Sequence, residues 1–144
     1  MTVVNYGMQA KRAEYLRQSV LSASPARLLT MLYDRLLLDL GRAEVAQQAG
    51  EWITASENLV HAQAIIAELS STLKTDAWDG ADNLQALYAF ALSTMVEANI
   101  TRSPALTRQC IEVLEPLRQA WHEASAQQPA AGAATTSGGT LGVG

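Results

Sequence analysis

Three stretches of this chain repeat apolar residues every three and four positions, and that spacing narrows the fold more than any other feature. Ala55, Leu59, Ala62, Ile66, Leu69 and Leu73 are separated by 4, 3, 4, 3 and 4 residues. Leu84, Tyr88, Ala91, Met95 and Ala98 follow the same rule, as do Leu106, Cys110, Val113, Leu117 and Ala120, with Trp121 beside the last. An average step of about 3.5 residues keeps one side of a helix turned toward a nearly parallel neighbour, with side chains of one seated between those of the next. Short connectors make consecutive helices antiparallel. The expected fold class is all-α: an antiparallel up-down four-helix bundle, with a short N-terminal segment or helix packed on it.

The breaks between helices are sparse. Ser24-Pro25 and Ser103-Pro104 each pair a hydroxyl that caps orphan N–H groups with a proline at the first helical position, where its missing N–H costs nothing. Gly50 and the Asp76–Asp82 stretch separate further helices, and Asn99 suits a left-handed helix end. The helices are expected near 25–48, 51–74, 82–99 and 104–124. With 25 Ala, 19 Leu and only four Gly before residue 132, the composition favours helix and excludes an all-β domain. Pro116 lacks the N–H that would reach the Glu112 carbonyl, which predicts a kink in the last helix. The organisation is therefore 1–23 as a displaceable cap segment, 24–124 as the bundle and 125–144, uncharged with five Gly, as a disordered tail.

Charge and motifs exclude several functions. The net charge is −4 and no basic stripe exists, so neither nucleic acid nor an anionic membrane is an expected partner. The longest apolar run, Ala86–Leu92, is far short of the ~18 residues of a membrane span, and Met1–Gln18 has no apolar signal-peptide core. A cytoplasmic (cytosolic) protein without membrane insertion is expected. Cys110 is alone, so no internal disulfide forms, and on an apolar seam a thiol packs as a small hydrophobe. His61 and His122 lie on different helices and neither belongs to a Glu-x-x-His pair. Glu57 and His61, one turn apart, read as a solvated pair. No catalytic residue, cofactor or metal is expected. Histidine phosphotransfer at His61, on the exposed side of its helix, is an alternative, but the residues three and four further on are Ala64 and Ile65 rather than lysine and glycine.

The first long helix differs from the others. Leu28, Leu29, Leu32, Tyr33, Leu36, Leu37, Leu40 and Ala43 cover about half its circumference. Met31 and Leu38 fall on the opposite side, among Arg27, Arg35 and Arg42. Apolar anchors rimmed by guanidinium groups have the make-up of a partner-binding strip. Tyr15 and Val20, in the uncapped first 23 residues, are the apolar points of a cover for such a strip.

Particular strings resemble the FliS family of flagellar secretion chaperones. Ser22-Ala23-Ser24-Pro25 followed by Met31-Leu32-Tyr33-Asp34 is similar to its T-A-S-P…M-L-Y-D-G opening, and Ala62–Leu69 to its K-A-x-x-I-I-x-E-L segment. Asn83–Tyr88, Glu97-Ala98-Asn99 and Leu117–Trp121 resemble N-L-x-x-L-Y, E-A-N and L-R-x-A-W, in order across about 15–124. Arg35 stands where the family usually has glycine and His61 where lysine is common; Pro116 and the 76–80 loop also depart from it. The resemblance implies a helical, non-enzymatic cytoplasmic chaperone that binds the disordered C-terminal segment of flagellin, prevents premature polymerisation and aids delivery to the flagellar type III export apparatus. On that reading Met31 and Leu38 anchor the client, Arg27 and Arg35 rim it, and Tyr15 and Val20 belong to the cover it displaces. The export gate, a co-chaperone and an anti-sigma factor are the further partners it leaves open. A generic adaptor for another amphipathic segment is the alternative of the same architecture.

Overall fold

The computed structural model describes residues 10–18, 23–74, 76 and 78–127, and all regular structure among them is helical. Residues 10–18 form α1; α2 is Pro25–Gln48, α3 Trp52–Thr72, α4 Ala81–Thr101 and α5 Pro104–Gln127. Both Ser-Pro starts are realised. Ser24 Oγ accepts from Arg27 N at 3.2 Å and Ser103 Oγ from Leu106 N at 3.1 Å, each bond worth about 1 kcal/mol. Gly50 makes the α2–α3 turn at φ 74°, where a side chain would be strained.

The end of α4 corrects one expectation. The helix does not stop at Asn99 but runs to Thr101, and Arg102 takes the left-handed conformation at φ 55°. Asn99 is held instead by its Nδ2–H bond to Ser56 Oγ, 3.2 Å. Helix α5 also extends past the expected end, so Ser125–Gln127 are helical rather than tail. It continues on both sides of Pro116, which is exposed. The remaining tail, 128–144, and Val20 lie outside the described residues.

Helices α2 and α4 each pack on both α3 and α5, so the four long helices enclose one core. Bonds between their ends show the directions. Asn99, late in α4, reaches Ser56, early in α3, and Gln85, early in α4, donates to the Ser70 carbonyl late in α3 at 3.2 Å. These neighbours are antiparallel. Tyr33, Leu36, Leu40, Leu59, Ile66, Tyr88, Met95 and Leu114 fill the interior. The expected seams of α3 and α4 are buried except Leu73, which is half-buried.

The α5 seam is displaced from its expected register. Val113 and Leu117 are half-buried and Ala120 is exposed, whereas Thr107, Cys110 and Leu114 are the fully buried positions. Thr107 can be inside because its hydroxyl donates to Gln47 Oε1 at 2.7 Å, while Gln47 Nε2 donates to the Ala98 carbonyl at 3.2 Å. A buried polar group is tolerated when it is bonded. The Tyr33 and Tyr88 hydroxyls make a second buried pair, 2.6 Å apart, and burial pushes both phenols above their usual range.

Candidate interaction surface

Eight large apolar side chains are exposed on the described part of the chain from α2 onward: Leu38, Val45, Ile53, Val60, Trp78, Phe90, Val96 and Ile100. Five of them line two grooves on opposite flanks of α3, which makes the first half of that helix the centre of the surface.

The first groove, about 470 Å³, runs between α2 and α3. Its walls carry Leu38 (44% exposed) and Val45 (65% exposed), with Arg42 and Glu51 beside them. Leu37, Ala46 and Gly41 also line it. A Cβ added at Gly41 would meet nothing within 4 Å, so neither turn geometry nor crowding accounts for this glycine. In a helix interior it costs about 0.5–1 kcal/mol relative to alanine. What it provides is depth in the groove.

The second groove, about 880 Å³, lies between α3 and the end of α4. Ile53, Val60 and Ile100 supply its apolar surface; Ile53 is 79% and Ile100 76% exposed. Ile53 and Val60 are seven residues apart with Ala64 beyond, an outward repeat of the three-four spacing that the buried seam uses inward. At one end the Arg102 guanidinium lies 5.0 Å from the centre of the Trp52 ring. A left-handed non-glycine residue costs roughly 1–2 kcal/mol, and an exposed cation over the half-buried Trp52 ring returns about 0.5–1 kcal/mol.

The residues of the expected strip fall in different places. Leu38 is in the first groove, but Met31 is half-buried and not among the lining residues. Val45, one heptad beyond Leu38, is its apolar companion there. Arg42 lines the groove, whereas Arg27 is exposed outside it. Arg35 is engaged elsewhere, donating from Nε to Asp39 Oδ1 at 2.9 Å. Asp39 is fully buried, and its other oxygen accepts from His61 Nδ1 across the α2–α3 seam. His61 is thus exposed, as expected, but partnered with Asp39 rather than forming a solvated pair with Glu57. A carboxylate only accepts, which places the ring proton on Nδ1.

Residues 10–18 are all exposed, Tyr15 among them at 70%. These nine residues are helical, and none of them is buried against the bundle. Sequence reasoning passed over Val45, Ile53, Val60 and Ile100. The signal was available in the 53/60 repeat opposite the seam, although periodicity alone cannot say which of two stripes is covered.

Chemistry is scarce among the described residues. No group of three His, Cys, Asp or Glu side chains is placed to hold a metal, and no helix is long and apolar enough to cross a membrane. Burial pushes the Cys110 thiol up to about 11, far from a reactive thiolate.

The family model of the flagellar protein FliS matches residues 7–128. The chain belongs to the FliS family. Among FliS relatives, the flagellar secretion chaperone of Bacillus subtilis is 31% identical over 110 residues, 76% of this chain and 82% of that protein. That of Vibrio cholerae is 29% identical over 117 residues, 81% and 86% of the two chains. Both FliS relatives are named as chaperones rather than enzymes. The fold also matches a crystal structure of a bacterial flagellar chaperone, with a TM-score of 0.66 at 20% identity over 85% of this chain and 99% of that one.

Proposed function

We propose that this FliS-family chain is a cytoplasmic export chaperone whose two α3-flanking grooves take the disordered C-terminal segment of flagellin. The single observation that carries the placement is the pair of open apolar grooves on a folded scaffold, the smaller of them deepened by a helix-interior glycine that nothing in the fold requires. A flagellin terminus that would otherwise pair with its own kind lays its apolar positions into these grooves. Because the scaffold is already built, the client alone loses conformational freedom. Premature polymerisation is thereby prevented, and moderate affinity permits release at the flagellar type III export apparatus.

Leu38 is retained as an anchor, and Val45, Ile53 and Val60 join it. Met31, Arg27 and Arg35 lie at the margin of this reading. The first 23 residues act as a displaceable cover; the exposure of 10–18, Tyr15 included, supports a loosely held segment. The export gate, a co-chaperone and an anti-sigma factor are candidates for the same surface. Phosphotransfer at His61 has no support from the relatives, and a generic adaptor role has none beyond the architecture itself.

The test is a titration of the flagellin C-terminal segment into wild type and into a Leu38→Glu/Val60→Glu double variant. Both side chains are exposed, so helicity and melting stay near wild type, while affinity falls by about a hundredfold, the loss expected of two central anchors. Unchanged affinity would remove both grooves from the account.

A further inference from the structure

Arg102 is the only non-glycine residue with positive φ among the described residues, at a helix end where glycine or asparagine is the usual occupant. Its guanidinium is laid over Trp52 at one end of the larger groove. No carboxylate among the described residues lies within ion-pair distance of it. A cation–π contact at 5.0 Å consumes none of the guanidinium's N–H donors, so the fork that suits a carboxylate has no ion-pair partner among the described residues.

We propose that Arg102 sets the direction and register of the client helix in the α3/α4 groove by pairing with an acidic side chain of that client. The inference rests on the reading that the flagellin C-terminal segment uses this face.

Three charged or titratable residues line the groove: Arg102, Glu57 and His61. His61 is already tied to the buried Asp39. Trp52, which marks the level of Arg102, and Glu57 are five residues apart on α3, about 7.5 Å along its axis. The groove therefore offers a positive charge and then a negative one along its length, with the apolar surface of Ile53, Val60 and Ile100 along it. A helix with apolar residues at three-four spacing and an acidic residue at the Trp52 end pairs with Arg102 and keeps its acid clear of Glu57. The same helix reversed sets its acid toward Glu57 and leaves Arg102 unmatched. Apolar burial supplies the affinity, and the charge order selects the orientation.

Glycine separates this role from a structural one. Arg102→Gly removes the cation and relieves the backbone, so folding stability holds or rises while affinity for a fluorescently labelled flagellin C-terminal segment falls roughly threefold. Arg102→Glu weakens the full-length chain's binding roughly tenfold. A scan of single acid-to-lysine changes in the segment then yields one variant that restores binding to Arg102→Glu and weakens binding to wild type. The proposal is overturned if both Arg102 variants bind as wild type does, if no lysine variant compensates, or if Arg102→Gly loses affinity only in proportion to lost stability. Val60→Glu tells the levels apart. Weak binding by Val60→Glu alongside normal binding by the Arg102 variants removes the orientation device and leaves the groove; normal binding by Val60→Glu removes the groove and the device together.

Discussion

The two seams that α2 makes with its neighbours are finished in opposite ways. Against α5 the outer edge is closed by charge. Arg108 Nε donates to Glu44 at 3.0 Å, and Asp34 accepts from Arg118 at 2.8 Å and from His122 at 2.6 Å. Beneath them Gln47 and Thr107 bond at 2.7 Å. Against α3 the only cross-seam ion pair among the described residues is His61–Asp39, and beyond it Leu38 and Val45 stand in solvent beside Gly41. The α5 seam is complete without a partner, whereas the α3 seam keeps apolar surface in water that folding does not use. The same helix thus closes one edge with polar contacts and leaves the other, on the proposed function, for the client.

The comparison can be sharpened first at Gly41. Gly41→Ala gains about 0.5–1 kcal/mol of stability from better helix propensity, since its Cβ has open space. It weakens capture of the flagellin segment in the same protein, read by denaturant melts beside a binding titration. A variant that is more stable and binds as well would show that the depth of the groove is unused.

The closed seam carries a smaller effect with a pH signature. Burial raises the Asp34 carboxyl, but hydrogen bonds from His122 and Arg118 outweigh it and hold its pKa below the usual 3.8. A depressed pKa means that the carboxylate stabilises the fold above about pH 3.8 and loses that contribution as pH falls through the lower folded value. Asp34→Asn is therefore less stable than wild type at neutral pH by about 0.5 kcal/mol, the worth of a largely exposed pair. The gap narrows in melts taken progressively below pH 3.8, and client affinity at neutral pH does not change. A gap that widened with acid would contradict the assignment.

The sequence made the helices legible because their signals are local. A serine hydroxyl caps the N–H three residues on, and a seam of Ala, Leu and Met repeats within one helix. The α5 register was harder to read. Thr107 and Gln47 are both polar, and they are buried because they bond each other across sixty residues, with Gln47 also bonded to the Ala98 carbonyl. Asp39 was hidden in the same way, since its partner His61 belongs to the next helix. The candidate surface was legible only where one helix shows it. Leu38 was recognisable as an apolar residue on the wrong side of its helix, but Ile53 and Ile100 become one groove only when α3 and α4 lie together. Arg102 carried no signal at all, because αL geometry at an arginine is decided by the turn and by Trp52 beneath it.

Hydrogen exchange of the full chain with and without the flagellin C-terminal segment tests the central claim most directly. The account predicts new protection along α3 from 52 to 64, along α2 from 37 to 46 and at 99–102, with little change along the α5 edge that carries Arg108, Arg118 and His122. Protection centred on that α5 edge, with 52–64 exchanging as in the free protein, would contradict it.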